Sequence, residues 1–187
     1  IGLVSVLLLA CSQEALKFNN VDITGSKSFG KDFSLIDHHG KQRQLADFKG
    51  KLVVMFFGYT QCPDVCPTTM NEMQGVMELM GKDADRVQVI FVTVDPERDT
   101  LDLLAQYVPA FDKRFLGMRP DSAESLQKVT KDFKVFYSKV PGKSAGSYTI
   151  DHTAGSYVFD TNGQLRLFLR HQQGPQLIAE DLKQLLR

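Results

Sequence analysis

Two uninterrupted apolar runs constrain this chain more than any other feature. Lys51-Leu52-Val53-Val54-Met55-Phe56-Phe57 and Val87 to Val94 show no alternation, so each reads as a strand buried on both faces. Between them, about Pro67 to Met80 has helical spacing, and Pro67 suits a first helical turn, where its missing N–H is no loss. Two buried strands joined through a helix make a right-handed βαβ unit and an α/β sheet.

The remaining elements fit around that unit. Asp32 to Asp37 alternates, His38-His39-Gly40 turns, and Gln42 to Leu45 returns, an N-terminal β-hairpin. The patterning then predicts helices over Leu101 to Val108 and Ser122 to Phe133, with a short strand at Arg114 to Met118 between them. Lys134 to Val140 and Tyr148 to Ile150 are strand-like around a Gly- and Ser-containing loop. Ser156 to Asp160 and Leu165 to Leu169 form a hairpin about Asn162-Gly163, and Pro175 to Leu186 is a final helix. There is no internal repeat, so residues 30–187 are expected to form one domain.

The N-terminus reads differently. Residues 1–10 (IGLVSVLLLA) carry no charge but are too few to span a membrane, which takes about 20 apolar residues. They read as the truncated end of an export signal, and Leu8-Leu9-Ala10-Cys11 resembles a lipobox, in which Cys11 becomes the lipidated residue. Residues 11–29 then serve as a tether. This predicts an extracytoplasmic lipoprotein anchored to the bacterial cell envelope and facing the periplasm. Lys plus Arg and Asp plus Glu number 22 each, and no basic run is interleaved with aromatics, which sets nucleic-acid binding aside.

Cys62-Pro63-Asp64-Val65-Cys66 holds the other two of the three cysteines. Residues four apart on a helical turn share a face, about 5–6 Å between Cβ atoms, so the two thiols converge. That spacing allows a disulfide and equally a chelate of one ion. A helix N-terminus beside them favours thiolate in either role. Two cysteines do not make a structural zinc site, whereas two thiolates and one imidazole suit Cu(I). Four histidines could supply the imidazole. His38 and His39 read as solvated turn residues, and His171 as a surface-loop residue. His152 enters the hairpin that borders the cysteine strand, and its spacing leaves a structural role and a ligand role both open. Met70, Met73, Met77 and Met80, with Val76 and Leu79, read as the buried face of the helix rather than as further ligands.

Gly58-Tyr59-Thr60-x-Cys62-Pro63-Asp64-Val65-Cys66-Pro67, then Val94-Asp95-Pro96-Glu97-Arg98-Asp99-Thr100, then Asp151-His152-Thr153 together resemble the Sco/SenC family. Those are membrane-tethered, thioredoxin-fold copper proteins of cytochrome c oxidase assembly. The resemblance implies a thioredoxin-like α/β fold, copper as Cu(I) or Cu(II), Cys62, Cys66 and His152 as its ligands, and Asp95 as an outer-shell group. It implies delivery to the copper A centre on the oxidase's copper-bearing subunit, and a periplasmic copper donor or thiol–disulfide partner. Gln61 departs from the pattern, since many relatives have histidine there. Neighbouring folds fit less well. A peroxiredoxin's Pro-x-x-x-Thr-x-x-Cys is absent, and Asp151 to Ser156 lacks the proline that faces a thioredoxin dithiol. The rival reading is an extracytoplasmic thiol–disulfide oxidoreductase that keeps the oxidase's copper-site cysteines reduced, using Cys62 and Cys66 as redox thiols.

Overall fold

The computed structural model describes residues 16–30 and 32–187; residues 1–10 and Cys11 lie outside the described residues. Its spine is the expected parallel pair, β4 (Leu52–Gly58) and β5 (Val87–Thr93), registered from Leu52 opposite Val87 to Gly58 opposite Thr93. Every residue of β4 is buried, which is why its sequence shows no polar alternation. The connection between them is α1 (Val65–Met80). Helix and strand therefore make the βαβ unit read from the apolar runs.

Around the pair, an eight-stranded mixed sheet runs in the order β1-β10-β9-β4-β5-β6-β2-β3. β1 is Val21–Asp22, β2 is Ser34–Asp37 and β3 is Gln42–Gln44; β2 and β3 form the N-terminal hairpin. β6 (Leu116–Arg119) pairs in parallel with β5, and β9 (Ser156–Phe159) antiparallel with β4 and β10 (Leu165–Leu169). Strand side chains alternate between faces. Phe56 and Phe91 therefore meet on one face, 5.3 Å between centroids, while Phe57, Tyr157 and Phe159 meet Phe133 on the other. Three further helices complete the domain. α2 (Leu101–Tyr107) begins at a Thr100 cap and α3 (Ala123–Asp132) at a Ser122 cap. α4 (Pro175–Leu185) follows the last strand and packs along α1. No described helix is long and apolar enough to cross a membrane.

A separate two-stranded sheet, β7 (Tyr137–Pro141) and β8 (Tyr148–His152), stands off the main one. Periodicity placed β7 three residues early and ended β8 two residues early; the register instead pairs Tyr137 with His152, so the histidine is the last residue of a strand.

Several side chains sit elsewhere than their local sequence suggests. His38 is 7% exposed rather than solvated. Its Nδ1 accepts the Gly117 N–H at 3.0 Å, because β2 pairs with β6 and draws the turn beneath that strand. His39 stays exposed, its Nε2 3.1 Å from that of His38. On α1, Met70, Met73, Val76, Met77 and Met80 are buried as expected, but Leu79 is 40% exposed, one position round the helix from the stripe. Part of the stretch read as a tether is fastened to the domain. Buried Asp181 on α4 accepts the backbone and amide N–H groups of Asn19 and Asn20 at 2.8–3.0 Å, and Val21–Asp22 joins β10.

Candidate metal centre

β4 ends at Gly58, and the chain turns through Tyr59 to Asp64 into α1, with Asp64 in the N-cap position. Cys66 is the second residue of the helix, one turn above Cys62. Its backbone N–H, one of the free donors of a helix N-terminus, is aimed at Cys62 Sγ, 3.4 Å away. Gly58 is what lets Cys66 come so close to the sheet. A Cβ there would stand 2.7 Å from Cys66 Sγ and 2.9 Å from the Phe91 ring. Cys66 is buried and Cys62 half-buried, and neither is in a disulfide.

Of the four histidines, His152 is the one that reaches the thiols. Its Nε2 lies 3.5 Å from Cys66 Sγ, across 86 residues of sequence. Its other nitrogen, Nδ1, donates to the Thr153 carbonyl at 3.0 Å, which fixes the ring and turns Nε2 toward the sulfurs. Asp151 is exposed and supplies no such bond. The ring also meets Tyr59 edge-on at 5.9 Å, and the Ile150 N–H donates to the Tyr59 hydroxyl at 3.1 Å. Cys62 Sγ, Cys66 Sγ and His152 Nε2 all lie within 4.8 Å of one another. The position beside the thiols that lacks proline is thus occupied by an imidazole. His171 is half-buried instead of looped into solvent, its Nδ1 3.2 Å from Thr69 Oγ1, one helical turn beyond Cys66.

The two thiols are electrostatically unequal. Cys62 is drawn down to about 4, chiefly by the Cys66 thiol donating to it, helped by the N–H groups of Asp64 and Cys66. Cys66 is pushed well above the ordinary thiol range, because it keeps the shared proton and because it is buried. The pair therefore presents one thiolate toward solvent and one protonated sulfur toward the core. Beside them opens a cleft of about 320 Å³, walled by Tyr59, Cys62, Pro63, Thr149 and His152. A larger groove of about 550 Å³ lies behind Asp95, between Pro96, Arg119 and Tyr137, and no thiol or imidazole lines it.

The loop after β5 holds the two halves of this centre. Asp99, fully buried, accepts from the Thr60 N–H at 3.0 Å, the Thr60 hydroxyl at 2.6 Å and the Thr93 hydroxyl at 2.6 Å, which pins the turn just before Cys62. Burial raises its pKa, against the pull of those donors. Asp95 accepts from the Tyr148 hydroxyl at 2.9 Å and pairs with Arg98, so its carboxylate braces β8, the strand that ends in His152. Asp99 and Arg98 were not singled out from sequence. Their signal was the cluster Asp95-x-x-Arg98-Asp99, whose members share one side of a turn.

Comparison with known proteins agrees with this picture. The SCO1/SenC family model matches residues 21–187. A SCO2-like protein of Rickettsia felis is 37% identical over 158 residues, 82% of this chain and 75% of that one. The mitochondrial SCO2 homolog of Danio rerio is 36% identical, across 81% of this chain but only 55% of its own length. Among solved structures, Bradyrhizobium japonicum ScoI with copper bound is similar with a TM-score of 0.77 and 42% identity, covering 84% of this chain and 99% of that one.

Proposed function

The chain belongs to the SCO1/SenC family, and on that premise we propose that it is a copper carrier whose cargo is held by Cys62, Cys66 and His152. The observation that carries this reading is the convergence of two sulfurs and one anchored imidazole nitrogen within 4.8 Å. A trigonal ion with bonds of roughly 2.3 Å to sulfur and 2.0 Å to nitrogen needs separations of roughly 3.7 Å between sulfur and nitrogen and roughly 4.0 Å between the sulfurs. The 3.5 Å between Cys66 and His152 is close to that without rearrangement. Two soft thiolates and an imidazole favour copper over calcium or magnesium, and the copper held by the similar ScoI supports the same choice.

Release follows from the unequal exposure of the ligands. Cys62 stands at the cleft, so an acceptor's thiolate can bond the ion there while Cys66 and His152 still hold it. Each exchange breaks one metal–sulfur bond as it forms another. Oxidising the two thiols to a disulfide removes two of the three ligands, so loading requires the reduced pair. The acceptor is the copper A site of cytochrome c oxidase, and a lipid on Cys11 holds the domain at the membrane. Anaerobic copper titration of the reduced protein tests the reading: Cys62→Ser, Cys66→Ser and His152→Ala each weaken binding by tenfold or more. Full affinity in His152→Ala defeats the three-ligand site.

One observation favours a second reading. A half-buried thiol at the cleft beside a buried partner is the arrangement of an attacking and a resolving thiol, as in a thiol–disulfide oxidoreductase. Reduction of a disulfide substrate that is indifferent to both copper and His152→Ala selects it over the carrier.

A further inference from the structure

The ligands of the centre come from two separate pieces of chain, the turn ahead of α1 and the strand β8, and β8 belongs to a small sheet outside the main one. Something must hold these pieces at a fixed separation. Tyr59 does so at one point, by accepting the Ile150 N–H. A second connection, made by a single side chain that touches both pieces, is Arg98. Its Nη1 donates to Gln61 Oε1 at 3.2 Å, on the residue before Cys62, and to the Tyr148 carbonyl at 3.0 Å, on the strand that ends in His152. Its guanidinium carbon lies 3.6 Å from the centre of the Tyr148 ring and 5.7 Å from that of Tyr59. Its Nε pairs with buried Asp95, which also accepts the Tyr148 hydroxyl.

We propose that Arg98 is a positioning residue for the centre, setting the reach of His152 to the two thiols by joining the cysteine turn to β8. A planar guanidinium suits this place because it offers donors in several directions while one face lies on an aromatic ring. Lysine keeps the charge opposite Asp95 but concentrates its donors on one nitrogen and cannot make the same set of contacts. Nη2 of Arg98 is buried without a partner among the described residues, a cost that serves no purpose if the residue only neutralises Asp95. The inference rests on the copper reading above, since it concerns how that ligand set is assembled.

The test is a double-mutant cycle in the reduced full chain, read by competition titration with Cu(I). Arg98→Lys is expected to weaken binding by roughly 10–100-fold, the usual effect of losing a group that orients a ligand. In a His152→Ala background the same substitution is expected to cost nothing further, because the ligand it positions is gone. Equal losses in both backgrounds, or wild-type affinity in Arg98→Lys, overturn the proposal. Without metal, amide exchange of Ile150 and His152 is expected to quicken in Arg98→Lys, and unchanged exchange also counts against it. If Arg98→Lys fails to fold, Gln61→Ala removes only the bond to the cysteine turn, and the same cycle with His152→Ala decides. Wild-type copper affinity in His152→Ala alone overturns the three-ligand reading itself, which keeps the two failures apart.

Discussion

Gly58→Ala is the most direct test of how the sheet sets the centre. The added methyl falls 2.7 Å from Cys66 Sγ and 2.9 Å from Phe91 Cε2, where unstrained carbon contacts lie at about 3.5–4.0 Å. Both neighbours are packed in, so either yields only at a cost. Cys66 is 1% exposed and Phe91 0%, and the Phe91 ring is already fitted edge-on to Phe56. The backbone is held too, since Gly58 is registered against Thr93 and its carbonyl accepts the Val94 N–H at 2.8 Å. Overpacking of this kind costs about 1–3 kcal/mol. For a domain of this size that lowers Tm by about 2–12 °C. Thermal unfolding of the reduced, metal-free protein by circular dichroism measures it directly. Cys66 must also move away from the sheet, so Cu(I) affinity should fall with stability. Gly75→Ala is the control: its Cβ meets Pro175 at 3.3 Å, a milder crowding far from the thiols. Alanine's advantage of about 1 kcal/mol in a helix interior opposes that crowding, so copper affinity should stay at wild type. If Gly58→Ala unfolds at the wild-type temperature and binds copper as tightly, the sulfur is not held against Gly58 and the argument fails.

Three further outcomes are expected. Asp99→Asn puts an N–H₂ among three donors that need an acceptor, so it should cost about 1–3 kcal/mol and loosen the turn before Cys62; a denaturation midpoint equal to wild type would exclude that clamp. With its thiol drawn down to about 4, Cys62 in the reduced protein should react with iodoacetamide at a rate nearly flat from about pH 5.5 to 8. A rate that climbs tenfold per unit there would mean an ordinary thiol. His38 is held below its usual 6.5, first by burial and then by His39, and its Nδ1 faces an N–H, so folding favours the neutral ring. Its contribution to stability is then complete above about pH 6.5 and lost as pH falls below it. His38→Gln, which keeps an acceptor for Gly117, should flatten that part of the stability–pH curve, and an unchanged slope would assign it to other groups.

What the sequence determined by itself is what neighbours along the chain decide. The unbroken apolar runs at Leu52 and Val87 could only be strands covered on both faces, and the four-residue spacing of Cys62 and Cys66 brings two thiols to one side of a turn. Asn162-Gly163 marked its hairpin for the same local reason. Boundaries slipped where partners in space extend an element, as in β8, which runs on to His152 because Tyr137 pairs with it. The resemblance singled out His152, but only the tertiary structure shows why that histidine and no other meets the thiols. His38, His39, His152 and His171 are equivalent as isolated residues, yet the sheet order buries one beneath β6, sets another against Thr69, and brings His152 to Cys66 over 86 positions of sequence. It likewise decided that Asp95 braces β8 while Asp99 pins the cysteine turn, two carboxylates of one short motif with different partners. The inequality of the two thiols belongs to the fold as well. Burial of Cys66 against Gly58 and exposure of Cys62 at the cleft come from packing that no spacing along the chain records, because desolvation depends on everything that surrounds a group.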